Sequence, residues 1–190
     1  AFEWWPSDQH FKVLVGADGG EVAVFRPSSW RGIDDRDEFF PSPPRMAERL
    51  GSFLGQVCPG ALERVELGTY GDLRELDAKP LLSAALNGVL RQKASGNVTI
   101  VNALTLAKEA GVEVVESTSS AAVGFANLMV LRVKTAQGDL AVAGTLFGGS
   151  HLRLVEIDGV EVDTIPQGHL LLVENDDTPG MIGQIGTLLG

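Results

Sequence analysis

The sequence has only one cysteine, Cys58, among its 190 residues. A disulfide within the chain needs two cysteines and a thiolate zinc site needs several, so neither can form, and we predict no metal site. A single cysteine fits a reducing compartment, so we expect a cytoplasmic location, with a plastid or another organelle as the alternative. Because no basic partner lies near it in the sequence, we expect Cys58 to be half-buried at a helix end rather than to act as a nucleophile.

Long apolar runs and an excess of positive charge are also missing. No apolar stretch approaches the roughly 20 residues that cross a bilayer, so we predict no membrane span. The formal net charge is −10. Nucleic acids and anionic membranes attract clustered basic residues, whereas the basic residues here are scattered, so we exclude both as partners. Small molecules and other proteins are the favoured partners.

Catalytic motifs are absent as well. No Gly-x-Gly-x-x-Gly follows any predicted strand, so the chain lacks the nucleotide-binding unit of doubly wound folds. The three histidines, His10, His151 and His169, fall in separate segments. No nucleophile and base share a motif, so we predict no catalytic residues. For His169 we favour an ordinary hydrogen bond at a strand edge over a pH-sensitive effector contact.

Regular patterns begin near residue 43. Apolar residues at helical spacing predict three helices, over 46–57, about 80–90 and 104–110, the last with Asn102 as its N-cap. Alternating residues predict strands over 65–69, 98–101, 112–116, 127–134 and 140–147, and Asp158-Gly159 predicts a tight hairpin between 152–156 and 160–164. Early helices and late hairpins are typical of an α+β fold, and we expect helices packed on a mainly antiparallel sheet over residues 46–165.

The two ends of the chain have their own patterns. Phe11–Val15 and Glu21–Phe25 are rich in β-formers and flank a glycine-rich turn, which predicts a β-hairpin followed by a proline-rich, acidic linker. Near the other end, Leu170–Val173 predicts a buried strand, and Thr178-Pro179 is typical of a helix start. Gly180, Gly183 and Gly186 lie along one side of that helix. Because an interior glycine costs roughly 1 kcal/mol relative to alanine, we expect this side to lie against a sheet, a partner or a ligand.

Five short motifs occur in a characteristic order: Asn102-Ala103 with Leu106–Gly111, Gly144–Gly148, Val155–Gly159, Gly168–Leu171, and Thr178–Gly183 with Gly186–Gly190. In this order they resemble the C-terminal regulatory half of long-form D-3-phosphoglycerate dehydrogenases. The resemblance covers about residues 43–190. It implies an intervening allosteric domain over 43–166 and, over 167–190, the start of an ACT domain, a partial ferredoxin-like βα unit. Residues 1–42 stay unassigned.

The resemblance implies a regulatory and assembly module of an enzyme that oxidises 3-phosphoglycerate with NAD in serine biosynthesis. The chain itself would hold no cofactor, because the catalytic arginine, glutamate and histidine of the family belong to the half that is missing here. The implied partners are the rest of the dehydrogenase chain, further copies in a homo-oligomer, and a small effector, L-serine or an anion, bound weakly. An incomplete ACT unit would leave the strand over 170–173 with an unpaired edge.

Two sets of site residues follow from the resemblance. The effector would lie at the turn before the last helix, against Asn175, Asp177, Gly180, Met181 and Ile182. Serine-sensitive members carry histidine and asparagine at the first two positions, and the Asp177 carboxylate would repel that of L-serine. We therefore expect no measurable L-serine binding by this chain. An anion would lie against Arg153 with His151 or Lys134, at most weakly, and a plain surface position for Arg153 is the alternative.

An independent small-molecule-binding or catalytic α+β domain is the second hypothesis for the whole chain. In that case the family likeness would reflect the fold alone, and the site would consist of Asn102, Asp177 and His169. General acid-base catalysis needs a titratable pair in a defined geometry, and the sequence offers no recognisable nucleophile and base within one motif. The regulatory module is therefore the favoured hypothesis.

Overall fold

The computed structural model describes residues 11–16, 22–24, 42–93, 96–119, 124–148, 151–167, 169–174 and 180–189. These residues fall into two compact units. The larger unit lies within Gly32–Pro166, and the smaller unit combines the described parts of Ala1–Arg31 and Gln167–Gly190. No helix in the described ranges is long and apolar enough to cross a membrane.

The described residues form four α-helices and nine strands. The helices are α1 (Pro43–Val57), α2 (Ala78–Lys93), α3 (Ala103–Glu109) and α4 (Met181–Leu189). The strands are β1 (Phe11–Gly16), β2 (Val22–Val24), β3 (Leu62–Gly71), β4 (Glu113–Ser119), β5 (Asn127–Thr135), β6 (Gly138–Phe147), β7 (His151–Ile157), β8 (Val160–Thr164) and β9 (His169–Glu174). The helices predicted from apolar spacing are therefore confirmed, with ends shifted by a few residues.

The larger unit contains a six-stranded sheet in the order β4-β3-β5-β6-β7-β8. All neighbouring pairs are antiparallel except β3 and β4. That pair is parallel because the chain passes through α2 and α3 between the two strands, and parallel neighbours need such a crossover. With α1 packed against β5 and β6, the predicted α+β class and mainly antiparallel sheet are confirmed.

Glycines set the distance between α1 and α2. A Cβ added at Gly51 would lie 2.1 Å from the Ala85 carbonyl oxygen, and one added at Gly88 would lie 2.2 Å from the Glu48 carbonyl oxygen. The two backbones therefore meet directly. On the sheet side, a Cβ at Gly144 would lie 3.0 Å from Cδ2 of Leu50, so α1 also sits close to β6.

The sheet has an inner face, which packs on α1, and an outer face on the opposite side. On β5, Met129, Leu131 and Val133 point inward and are almost completely buried. The alternate residues point outward, where Leu128, Val130 and Ala143 form a second buried cluster against which Tyr70 and Val155 pack. Further along β5 the outer face carries Arg132 and Lys134, which are exposed. The outer face is therefore apolar at one end and charged at the other.

Asp158 and Gly159 form the predicted tight turn between β7 and β8. Their φ angles are 47° and 80°, both in the left-handed region. A two-residue hairpin turn with two positive φ angles matches the twist of antiparallel strands, and Asp-Gly is a preferred pair there. This hairpin is confirmed, and it brings the acidic side chains of β8 next to β7.

Residues 98–101, predicted as a strand, form an irregular turn instead. The Thr99 backbone N–H donates to Oδ1 of Asn102 at 2.7 Å, and Nδ2 of Asn102 donates to the Asn97 carbonyl oxygen at 3.0 Å. Asn102 stands at the N-cap position of α3 without a side-chain capping bond. Its side chain instead forms hydrogen bonds with the backbone of the preceding loop. These bonds replace those that a strand would form with a neighbouring strand.

In the smaller unit β9 lies between β1 and β2, parallel to β1 and antiparallel to β2. The two N-terminal strands exist as predicted, but the hairpin between them is wrong, and so is the predicted unpaired edge of β9. The reason is the apolar content of β9, where Leu170, Leu171 and Val173 are nearly fully buried. A continuous apolar strand is stabilised in a central position with partners on both edges.

Candidate functional site on the outer face of the sheet

A cavity of about 520 Å³, here named the outer pocket, opens at the apolar end of the outer face. Leu128, Ala143 and Val155 line it, and the first two are buried. Two aromatic side chains also line it, Phe125 at 38% and Phe147 at 69% exposure. Thr145 of β6 also lines it. The remaining lining residues come from β7 and β8 and carry all of its charge: Arg153, Glu156, Glu161, Val162 and Asp163.

The Asn127 side chain holds the two strand ends beside this pocket. The Leu146 backbone N–H donates to Oδ1 of Asn127 at 2.7 Å, and Nδ2 of Asn127 donates to the Leu146 carbonyl oxygen at 3.1 Å. Oγ1 of Thr145 donates to the Asn127 carbonyl oxygen at 2.6 Å. These bonds continue the β5–β6 pairing past its last ladder pair, and Phe125 and Phe147 lie next to them in the chain. Sequence reasoning missed Asn127, although Thr145 and Leu146 belong to one of the five motifs.

Arg153, predicted to bind an anion, is already paired with a carboxylate. Its Nη1 donates to Oδ1 of Asp163 at 3.1 Å, with the arginine side chain 35% and the aspartate side chain 79% exposed. His151 is exposed at the start of β7, two residues earlier and therefore on the same face of the strand. The two predicted residues, Arg153 and His151, are thus neighbours, but the Asp163 carboxylate lies beside Arg153 and opposes the binding of an anion.

Lys134, the third predicted anion ligand, lies at the charged end of the outer face. It lines a shallower depression of about 440 Å³ together with Arg64, Arg132 and Asp139. Lys134 pairs with Asp139 across β5–β6, whereas Arg153 pairs with Thr145 across β6–β7. Six residues of β6 separate these positions, roughly 20 Å at 3.3 Å per residue. The structure therefore does not bring Lys134 together with Arg153 and His151.

The outer pocket has an acidic balance that the sequence did not suggest. Its lining contains one basic residue and three acidic ones. Arg153 and Asp163 neutralise each other, which leaves Glu156 and Glu161. These two residues lie directly opposite each other in the β7–β8 pairing. Like charges at directly opposed positions are destabilising, so the pocket carries an uncompensated negative potential.

The turn between β9 and α4 is the second predicted site, and only part of it is described. Asn175 and Asp177 lie outside the described residues. Gly180 is exposed with a φ of 96°, and α4 begins at Met181, with the Gln184 N–H donating to the Gly180 carbonyl oxygen at 3.0 Å. The predicted strand and helix on either side of the turn are confirmed. No described residue of this chain covers the glycine side, because none places an atom within 4 Å of a Cβ built at Gly180, Gly183 or Gly186. Cover by a partner or a ligand stays a prediction.

Cys58 is more deeply buried than the half-buried position that we predicted for it. It is 4% exposed, and burial raises the pKa of the thiol to about 11, against a smaller lowering by the Lys93 ammonium group. Nζ of Lys93 donates instead to the carbonyl oxygens of Cys58 and Gly60. A thiol with a raised pKa is a poor nucleophile at neutral pH, in agreement with the structural role that we predicted.

The alternative catalytic trio is not assembled by the described residues. Asn102 uses its side chain in the turn before α3. Asp177 and the side chain of His169 lie outside the described part of the chain. Within that part, no group of three or more histidine, cysteine, aspartate or glutamate side chains is placed to hold a metal ion.

Comparison with known proteins assigns the larger unit. Residues 44–158 match the family described as "D-3-phosphoglycerate dehydrogenase intervening domain". The D-3-phosphoglycerate dehydrogenase of Synechocystis sp. is 32% identical over 147 residues, covering 77% of this chain and 26% of the relative. That of Bacillus subtilis is 31% identical over 157 residues, covering 82% and 30%. The enzyme named D-3-phosphoglycerate dehydrogenase 2, chloroplastic, of Arabidopsis thaliana is 30% identical over 163 residues, covering 76% and 26%.

The matched residues run from α1 to the turn after β7, and so contain most of the sheet and the helices packed on it. The chain spans about a quarter to a third of the length of these relatives. Because residues 44–158 make up more than half of the 190 residues, the chain belongs to the family of D-3-phosphoglycerate dehydrogenase intervening domains.

Proposed function

We propose that this chain is a regulatory and assembly module of a D-3-phosphoglycerate dehydrogenase. The match of residues 44–158 to the intervening domain of that enzyme carries the proposal. The fold supports it, since the six-stranded sheet is mainly antiparallel and differs from the parallel sheet on which dinucleotides bind. The module would regulate the oxidation of 3-phosphoglycerate by NAD. Both 3-phosphoglycerate and NAD would bind elsewhere in the enzyme.

The natural protein is the material that tests this proposal. An antibody against the chain would capture it from its source, and its intact mass and activity would then be measured. We expect a polypeptide much larger than 20.1 kDa that reduces NAD when 3-phosphoglycerate is added. A captured protein with a mass near 20.1 kDa and no such activity would contradict the proposal.

The module would transmit signals through two sites. The first is the β9–α4 turn, where the N–H groups at the start of α4 suit a carboxylate, with Asn175 and Asp177 as the polar contacts and Gly180, Met181 and Ile182 as the backbone. The second is Arg153 with His151, for an anion. At the second site Arg153 is paired with Asp163, and at the first site Asp177 adds a negative charge. Both sites would therefore bind such ligands weakly in the isolated chain.

Assembly is the other part of the proposed role. We propose that the module contacts the rest of the dehydrogenase chain and further copies of itself in a homo-oligomer. A cytoplasmic location, or a plastid as in the relative from Arabidopsis thaliana, would place it with the enzyme. Sedimentation velocity of the captured natural protein would report its oligomeric state, and a monomer would contradict the assembly role.

A further inference from the structure

We propose that the outer pocket binds an organic cation whose body is aromatic or aliphatic, such as an ammonium group on a phenylethyl frame. This inference rests on the pocket itself, and it competes with the weak anion site proposed at Arg153, which lines the same pocket. It differs from the anion site predicted at Arg153, because the charges that surround Arg153 in the folded sheet have the opposite sign.

The size and lining of the outer pocket suit a small organic molecule. Its volume of about 520 Å³ lies within the range of roughly 300–1,000 Å³ that is typical of ligand pockets. Leu128, Ala143 and Val155 offer apolar contacts. Phe147 is 69% exposed at this pocket, so an apolar ligand body placed against it would remove aromatic surface from water.

The charges select a cation over an anion. The single guanidinium, Arg153, is paired with Asp163 at 3.1 Å and is therefore largely neutralised. Glu156 and Glu161 have no ion pair with any basic residue of the described chain, and they oppose each other across β7–β8. A ligand cation between them would relieve their repulsion. The faces of Phe125 and Phe147 also favour a cation, because the aromatic ring face is electronegative.

A second copy of the chain is a poorer occupant for this pocket. The pocket lining has three acidic residues and one basic residue, so two copies that met pocket to pocket would bring like charges together. Within the described residues, the charged end of the outer face holds as many acidic as basic groups, so it presents no basic surplus to a copy. A separate cationic ligand has neither disadvantage.

Three probes with the same phenyl ring test the inference: 2-phenylethylammonium, the neutral 2-phenylethanol and the anionic 3-phenylpropanoate. The full chain would be titrated with each probe at low ionic strength, and amide resonances of Phe147, Arg153 and Glu161 would report binding. We expect the ammonium ion to bind about fivefold to tenfold more tightly than the alcohol, because the half-buried Glu156, the exposed Glu161 and the ring faces each add a modest attraction. The propanoate should bind most weakly.

Charge-removing variants connect this preference to the pocket. In the double variant Glu156→Gln with Glu161→Gln, the preference for the ammonium ion over the alcohol should fall to the small part that the ring faces contribute, while affinity for the alcohol stays unchanged. Glu109→Gln, an exposed carboxylate on α3, is the matched control and should retain the preference. Phe147→Ala should weaken all three probes. Circular dichroism would verify that each variant folds. If the double variant does not fold, Glu161→Gln alone replaces it in the test, because Glu161 is exposed.

Four results would overturn the inference. The first is equal binding of the ammonium ion and the alcohol to the unchanged chain, and the second is a preference that is as large in the double variant as in the unchanged chain. The third is self-association of the chain that Phe147→Ala abolishes, measured by sedimentation velocity, since a second copy would then occupy the pocket. Failure of all probes to saturate at millimolar concentration counts equally against it.

Discussion

At the scale of single residues, the Asn127 side chain replaces the missing end of a strand ladder. Its amide makes two bonds with the backbone of Leu146, of 2.7 and 3.1 Å. Removal of a partly buried hydrogen-bonding partner costs about 1–3 kcal/mol when the backbone groups are left unpaired. We therefore expect Asn127→Ala to lower the free energy of unfolding by about that amount, measured by urea denaturation.

A control for this prediction is Asn97→Ala. The Asn97 side chain is exposed and only its backbone carbonyl takes part in the turn before α3, so the free energy of unfolding should change by less than about 0.5 kcal/mol. Equal effects of the two substitutions would mean that Asn127 contributes no more than a surface amide.

Cys58 gives a prediction in pH. Burial raises the pKa of its thiol from 9.0 to about 11. The thiol therefore stays protonated in the folded chain at a pH where it ionises in the unfolded chain. Iodoacetamide should react with Cys58 very slowly between pH 7 and 9 and rapidly in denaturant, as measured by mass spectrometry.

The same pKa difference makes the folded chain less stable at high pH. Below pH 9 the thiol is protonated in both the folded and the unfolded state, so its ionisation does not change the free energy of unfolding. As the pH rises from 9 towards 11, the unfolded state gains by ionisation and the folded state does not, so the free energy of unfolding falls. In Cys58→Ala this part of the decline should be absent. An unchanged slope in the alanine variant would show that the thiol titrates alike in both states.

At the scale of elements, the crossing of α1 and α2 depends on backbone contact at glycine. A Cβ at Gly88 would lie 2.2 Å from the Glu48 carbonyl oxygen and 2.6 Å from the Ser52 backbone nitrogen. Neither atom is the end of a flexible side chain, so the helices would have to separate. We expect Gly88→Ala to cost about 3 kcal/mol or more in thermal or urea unfolding, at the upper end of overpacking effects.

The matched control is Gly183→Ala on α4, where the described residues place nothing within 4 Å of the added Cβ. Because alanine is a better helix former than glycine, this variant should be as stable as the unchanged chain or more stable by up to about 1 kcal/mol. Destabilisation by Gly183→Ala would indicate a close contact at that helix side.

The β9–α4 turn carries the prediction on L-serine. The helix start suits the carboxylate of an amino acid, but the family resemblance implies a second carboxylate there, that of Asp177, and repulsion at ~4–5 Å would amount to about 1–4 kcal/mol. We expect millimolar L-serine to leave the Gly180 and Met181 amide resonances unchanged in this chain. A saturable shift of those resonances would contradict the prediction, and Asp177→Asn, which restores an amide, is the variant in which a shift is expected.

Elements whose partners are close in sequence were predictable, and those with distant partners were not. The β7–β8 hairpin followed from Asp158-Gly159, and α1 from its apolar spacing. The pairing of β9 with β1 and β2 joins residues more than 140 positions apart, so no local pattern contains it. The apolar run of Leu170–Val173 indicated a central strand, but it could not say which strands would flank it.

The candidate site was predictable to the same limited extent. The resemblance grouped Arg153 with His151, and the structure places both on one face of β7. The opposition of Glu156 and Glu161 follows from the two-residue Asp158-Gly159 turn, which pairs Ile157 with Val160 and Glu156 with Glu161. Only the register beyond this pair, between Leu154 and Glu156, is irregular and has no signal in the sequence. The sign of the charge around Arg153 was therefore set by pairing rather than by composition.

At the scale of the whole molecule, the net charge of −10 opposes every anionic ligand. To bind, an anion must be attracted by nearby basic groups more strongly than the net charge repels it. Arg153 does not supply that attraction while it is paired with Asp163. Calorimetric titration with 3-phosphoglycerate or phosphate should accordingly detect no submicromolar site in the unchanged chain. Such a site would mean that other residues compensate for the pairing.

Asp163→Asn separates the local effect from the general one. The substitution frees the Arg153 guanidinium and takes the net charge from −10 to −9, so the affinity for phosphate should rise about fivefold at low ionic strength. Glu109→Gln changes the net charge equally but lies on α3, away from Arg153, and should have little effect. The gain should shrink as salt is added, because an exposed pair is screened over about 10 Å at 0.1 M. If both variants raise the affinity equally, the net charge alone limits anion binding, and Arg153 is a surface strand residue without a ligand role.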